Sequence, residues 1–78
     1  MDLVIISPEG VLLKETAERV TLPGSLGTFS ILKNHAPLVS TLEKGEIIYI
    51  QNKKEKKHDI EGGITIVEKN EIRVMIEN

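Results

Sequence analysis

Apolar residues two apart, broken every few positions by turn-forming residues, constrain this chain more than any other feature. Leu3/Ile5, Val11/Leu13, Val20/Leu22, Ile64/Ile66 and Ile72/Val74/Ile76 repeat with period two, the spacing that puts alternate side chains on one face of a strand. Between them lie Ser7-Pro8-Glu9-Gly10, Pro23-Gly24-Ser25, Lys33-Asn34-His35, Gly45, Asn52-Lys53, Gly62-Gly63 and Lys69-Asn70, leaving room for strands and little that is longer. The one helix-tolerant stretch, residues 12–20, contains Lys14, Glu15, Ala17, Glu18 and Arg19. Its apolar positions alternate at both ends, and it runs into Val20-Thr21-Leu22 closed by Pro23, so two strands meeting at a bend near residues 15–17 are expected. Strands are also expected over 46–51 and 54–60, turning at Asn52-Lys53, and over 64–67 and 72–76, turning at Lys69-Asn70, because Asn tolerates the positive φ of tight hairpin turns. The expectation is one all-β domain over residues 1–78, a small sandwich or flattened barrel of up to about ten short strands.

Size and charge narrow the function classes. A 78-residue chain with ten basic and twelve acidic residues has a net charge of −2, too little for a strong electrostatic pull on nucleic acid or membrane. A domain this short buries only about 60% of the surface its unfolded chain exposes, so it gains from a staple, a metal or a partner. It has no cysteine, which excludes disulfides and thiolate metal sites and allows a reducing compartment. No aliphatic run approaches the roughly 20 residues of a membrane-spanning helix. Asp2 after Met1 and Pro8 soon after do not match a secretory signal.

Residues that could carry chemistry read as structural. His58 falls within Lys53-Lys54-Glu55-Lys56-Lys57-His58-Asp59, a run expected to be solvated. Two distant histidines and no cysteine supply no zinc spacing. The lysine cluster has no neighbouring aromatic for base stacking, and it reads as protection of a sheet edge. Gly62-Gly63 lacks the residues of a phosphate loop and reads as a turn or bulge. Ser7, Ser25, Ser30 and Ser40 have no evident His-carboxylate partnership. No cofactor, metal or catalytic site is expected.

The remaining candidate is a binding surface. Gly27, Thr28, Phe29, Ser30, Ile31 and Leu32 form an alternating segment in which Phe29 is expected to be buried. A reversal at Lys33-Asn34 follows, then His35, Ala36, Pro37 and Leu38. The loops on either side, 23–27 and 33–37, combine fixed turn residues with small or polar groups, which suits a rigid docking surface.

Ser7-Pro8-Glu9-Gly10, Val20-Thr21-Leu22-Pro23-Gly24, Gly27 with Phe29-Ser30-Ile31-Leu32, the signature His35-Ala36-Pro37-Leu38, then Leu42, Gly45 and Gly62-Gly63 occur in this order across nearly the whole chain. In these residues the sequence resembles the N-terminal β-sandwich domain of the epsilon subunit of F-type ATP synthase. The resemblance implies a noncatalytic rotor component that packs against the gamma subunit and rests on the ring of c subunits. It would lie at the cytoplasmic face of the inner membrane as a peripheral part of the complex. It also implies that Ser25, Leu26 and Gly27 through Leu32 belong to the end facing the c ring, and that His35, Ala36, Pro37 and Leu38 lie near both ring and gamma. Where the family often has an acidic residue before Gly27 this chain has Leu26; Ser30 and Lys33 stand where Gly and Pro are common. Many family members continue into a helical pair that binds ATP or inhibits hydrolysis, whereas this sequence ends at Asn78, so no ATP binding by this polypeptide is expected. Replacing His35 or Leu26 by Glu is expected to weaken assembly more than replacing Lys56 by Glu. The alternative reading is a free-standing β domain that binds a peptide or oligonucleotide.

Overall fold

The computed structural model describes all 78 residues, and every regular element in it is a strand. Nine follow in order: β1 Asp2–Ser7, β2 Gly10–Thr16, β3 Arg19–Gly24, β4 Gly27–Leu32, β5 Leu38–Leu42, β6 Gly45–Gln51, β7 Lys54–Ile60, β8 Gly63–Glu68 and β9 Glu71–Ile76. The bend expected near residues 15–17 is the break between β2 and β3. At Asn52-Lys53 and Lys69-Asn70 all four residues have φ between 49° and 64°, as two-residue hairpin turns that follow the sheet's right-handed twist require.

Hydrogen-bonded neighbours run β2-β1-β9-β8-β5-β3-β6-β7, with β4 on the other side of β3. The sheet is creased where β5 meets β3, through the single pair Gly24 and Leu42. Two backbone bonds flank it, Ser25 N to Thr41 O at 3.0 Å and Glu43 N to Pro23 O at 2.8 Å. One leaf is thus β2-β1-β9-β8-β5 and the other β4-β3-β6-β7. All pairings are antiparallel except β1 with β9, which is parallel and sets Leu3 beside Ile72 and Ile5 beside Val74. Those four residues and Val20, Leu22 and Ile47 of the second leaf are completely buried in one cluster. Apolar burial on this scale, about 25 cal/mol per Å², is the main force holding the leaves together.

Two of the period-two pairs do not face this core as a pair. In β8 the inward residues are Thr65 and Val67, while Ile64 and Ile66 point outward. Thr65 is tolerated inside because its hydroxyl donates to the Arg73 carbonyl oxygen at 3.1 Å. In β2 a register shift opposite Ile5 and Ile6 turns Val11 to solvent, although Leu13 still packs on the core.

The end strands of the path, β2 and β7, are joined by side chains rather than a ladder. Lys56 Nζ lies 3.6 Å from Glu15 Oε2 and donates to Gln51 Oε1 at 2.6 Å, and Gln51 Nε2 donates to the Thr16 carbonyl at 3.1 Å. The lysine-rich β7 is a sheet edge, as its composition suggests. Lys56 is nevertheless a bridging residue, and His58, expected to be exposed, is half-buried opposite the core residue Ile47. The inward pleat of β7 dictates both, since residues 56, 58 and 60 share one face with Tyr49 and Ile47 across the ladder.

Burial of Tyr49, and then the charge of Glu15 beside it, raise its phenol pKa above 10.0. Because the folded value lies above the unfolded one, the stability it contributes is complete below the unfolded pKa and is lost as pH rises through the folded one. Tyr49 is the only tyrosine, so phenolate absorbance should titrate with a midpoint above 10.0, and Glu15→Gln should lower that midpoint without abolishing the shift. A midpoint at the free-phenol value would refute this account of the seam.

Gly63 opens β8 at φ 158°, and a Cβ there would overlap the Met75 carbonyl oxygen. Gly10, at φ 128°, has no atom within 4 Å of a Cβ. Gly63→Ala should therefore cost more than Gly10→Ala, roughly 2 kcal/mol or more in urea unfolding, since it adds overpacking to backbone strain.

Candidate interaction surface

The β3–β4 hairpin reverses through Ser25 and Leu26, between the paired glycines Gly24 and Gly27. Gly24 is required by a close approach, because a Cβ there would stand 2.6 Å from both the Gly27 carbonyl oxygen and Phe29 Cε1. The turn is tied to β5 twice, by the Ser25 backbone bond to Thr41 and by Thr41 Oγ1 donating to Ser25 Oγ at 2.8 Å. This anchored turn holds up Leu26, whose side chain is fully exposed at 105%. An apolar side chain held out on a braced turn adds no burial to the fold and is accessible to another surface.

The remaining sequence-selected residues divide by face. Thr28 and Ser30 are exposed on the outer side of β4, Ser30 Oγ lying 2.8 Å from Thr21 Oγ1. Phe29 is half-buried against the core, its ring under Gly24, and Leu38 is likewise half-buried. Ile31 is 1% exposed and belongs to the core, so it has no side chain to offer a partner. Leu32 is 57% exposed at the far end of β4. Beyond it Asn34 takes φ 63°, and His35 N donates to the Leu32 carbonyl at 3.2 Å. His35, Ala36 and Pro37 are all exposed, with His35 Nδ1 2.7 Å from the Ala36 oxygen. The structure therefore collects Leu26, Thr28, Ser30, Leu32, His35, Ala36 and Pro37 along one hairpin and its following loop, and withdraws Ile31.

Sequence reasoning missed a second surface. On the outer side of the first leaf, Val39, Ile66, Arg73 and Val4 lie side by side across four strands, and Thr41, Ile64, Met75 and Ile6 form the next row. Val39 is 69% and Ile64 44% exposed, Ile6, Ile66, Arg73 and Met75 are half-buried, and Val4 is buried. Six of these eight side chains are apolar. The signal was the run Ile64-Thr65-Ile66-Val67, which is apolar on both faces of one strand, where a strand wet on one side carries polar residues outward.

No cluster of three or more His, Asp or Glu side chains is placed to hold a metal ion. A depression of about 390 Å³ beneath the β3–β4 turn is lined by polar residues, glycines and Pro23, with Ile48 as its one aliphatic side chain, unlike the mostly apolar, deeply enclosing pockets of small-molecule sites. What the geometry offers is a braced, exposed turn and an apolar sheet face.

These features define a small all-β domain. The family model of the ATP synthase delta/epsilon chain β-sandwich domain matches residues 1–78, and the chain belongs to that family. An ATP synthase epsilon chain of Desulfitobacterium hafniense is 47% identical over 73 residues, covering 94% of this chain and 55% of that protein. The epsilon chain of Leptospira borgpetersenii is 37% identical over 78 residues, covering 100% of this chain and 61% of its own. This chain thus spans between half and two thirds of the length of these relatives. In fold it is similar to a chain in the Tetrahymena thermophila mitochondrial ATP synthase central stalk and c-ring, with TM-score 0.81 at 15% identity over 100% of this chain and 63% of that one. A chain of the Euglena gracilis mitochondrial ATP synthase matches with TM-score 0.91 at 20% identity over 97% of this chain and 49% of its own.

If Leu26 has no role in the fold, Leu26→Ser should leave stability within about 0.5 kcal/mol, as surface substitutions do, whereas Phe29→Ala should cost about 2–4 kcal/mol through lost packing. Chemical denaturation of the two variants decides this; comparable losses would count Leu26 as structural.

Proposed function

We propose that this domain is a noncatalytic central-stalk component of an F-type ATP synthase, docking on gamma and the c ring and helping couple proton-driven rotation to ATP synthesis. The observation that carries the reading is the fully exposed Leu26 on a turn braced to β5, within a chain of the epsilon family. In this reading the 25–32 hairpin meets the ring, with Leu26 as its apolar contact. Residues His35 to Leu38 lie near ring and gamma together. The apolar rows around Val39 and Ile64 supply the broader face against gamma, since apolar patches exposed on a small domain mark protein contacts. The location, peripheral on the cytoplasmic side of the membrane, follows from that assembly. No bond is made or broken by the domain. Its contribution is stiffness, because a close-packed two-leaf core resists deformation under torque.

Copurification with gamma and the c ring tests the reading, and a chain that joins neither would refute it. Leu26→Glu and His35→Glu should weaken assembly by about tenfold or more, as removal of a contact of 1.4 kcal/mol or above would. Lys54→Glu serves as the surface control. Lys56 is unsuitable for that purpose, since it bridges the seam to Glu15.

A further inference from the structure

Three strands have only one partner each, β2, β7 and β4. An open edge is a template for strand addition unless something blocks it. β7 begins with the charged run Lys54-Glu55-Lys56-Lys57, and β2 combines a register shift with Lys14 and Glu15. β4, Gly27-Thr28-Phe29-Ser30-Ile31-Leu32, has no charge and no proline, and its register with β3 runs without a shift.

The ladder with β3 fixes which backbone groups this edge leaves free. Pro23 stands opposite Thr28 and has no N–H, and its carbonyl accepts from Glu43 on the side away from β4. Pro23 and Thr28 are therefore a non-bonded pair of the antiparallel ladder, and the N–H and C=O of Thr28 point away from β3. Alternation gives Ser30 the same orientation. Leu32 shares it, but its outward carbonyl is taken by His35 N.

Turned about a two-fold axis through Phe29, this edge is complementary to itself, as an isologous interface requires. Antiparallel pairing in that register sets Thr28 against Ser30 of the second copy and Ser30 against its Thr28, so every outward N–H and C=O of the two residues finds a partner. On the outer face hydroxyl meets hydroxyl, a favourable cross-strand pair. Half-buried Phe29 comes beside Phe29 of the second copy at the close, non-bonded position, which covers the part of the ring that the core leaves open. Exposed Leu26 and Leu32 lie equally far from the axis, so each stands at the end occupied by the other in the second copy. No like charges meet, because Lys33, the first charge beyond β4, falls opposite Ser25. The neighbouring registers are poorer. Centring on Ser30 sets Thr28 against Leu32 with its occupied carbonyl, and centring on Thr28 sets Ser30 against Leu26 in the turn.

We infer that the free chain pairs with a second copy of itself, β4 against β4, in the register centred on Phe29. The inference goes beyond the stalk reading and competes with it, since the pair covers the 25–32 hairpin proposed to meet the ring; a chain entering the complex must first leave its copy. A ladder this short buries less than a standard interface, so the pair is weak and reversible.

Sedimentation equilibrium of the chain, carried up to about 1 mM, tests the pairing. The average mass should rise from 8.7 kDa toward twice that value, and exchange of the Thr28 and Ser30 amides should slow as it rises. Because the chain has no cysteine, introduced ones report the register. Under mild oxidation an equal mixture of Thr28→Cys and Ser30→Cys should cross-link between the two variants at least about fivefold faster than either variant links to itself, since only the mixed pair stands directly opposite, and like positions lie beyond the roughly 7 Å Cα separation that a disulfide spans. Thr28→Lys combined with Ser30→Lys, both at exposed positions, sets lysine against lysine on either side of the axis and should raise the dissociation constant about fivefold or more. A mass that stays at 8.7 kDa would overturn the pairing and leave the stalk reading untouched. So would association in which both amides still exchange freely and the mixed cross-link has no advantage. A chain that pairs in this way but joins neither gamma nor the c ring would overturn the stalk reading and leave the pairing standing.

Discussion

The parallel pairing of β1 with β9 is the constraint that holds the first leaf together. It joins residues about seventy positions apart, Leu3 with Ile72 and Ile5 with Val74, and all four are completely buried. Without it the β1–β2 hairpin would have no place beside β8 and β9, and the first leaf would lose two of its five strands. Loop-closure entropy must be met before such a contact contributes anything. Local hairpins at Asn52-Lys53 and Lys69-Asn70, whose asparagines tolerate positive φ, shorten the effective loop that this contact must close.

The crease at Gly24 and Leu42 converts one sheet into two facing leaves, and it also positions the candidate surface. The same few residues do both. Ser25 and Glu43 tie the two chain segments together, so the turn bearing Leu26 is fixed relative to the core by the bonds that fold the sheet over. A residue on such a turn cannot swing independently of the domain, as the proposed stalk role calls for. The opposite seam, between β2 and β7, is held by Glu15, Lys56 and Gln51. Exposed ion pairs contribute little, so this side of the barrel is the more easily opened.

Strand positions and hairpin turns were legible in the sequence because each is a local matter of period and turn chemistry. The lysine-protected edge was legible for the same reason, since the signal lies within β7 itself. Which face of a strand turns inward was legible only where one face is polar. β8 has Ile64 and Ile66 on one face and Thr65 and Val67 on the other, so both faces carry apolar residues, and the inward one holds Thr65 with its hydroxyl satisfied by the Arg73 carbonyl, which no periodicity shows. The register shift opposite Val11 was equally hidden, because a bulge depends on the partner strand. At the candidate surface the sequence located the hairpin and the His35 loop but not their accessibility. Ile31 and Leu32 are adjacent and chemically alike, yet one is core and the other solvent-exposed, because pleating alternates them.

Comparison of the edges suggests why β4 differs from the others. A small domain with three open edges is at risk of unwanted strand pairing, and charge on β7 with a bulge and charge on β2 removes that risk at two of them. Leaving the third smooth and uncharged would be a liability for a free-standing module. In a chain held within a larger assembly, as proposed above, an open edge is less of a liability, because a partner that binds the folded domain adds stability to a 78-residue core. The unprotected edge therefore weighs against the free-standing reading: a chain that worked alone would be expected to carry a charge or a proline within β4, which has neither.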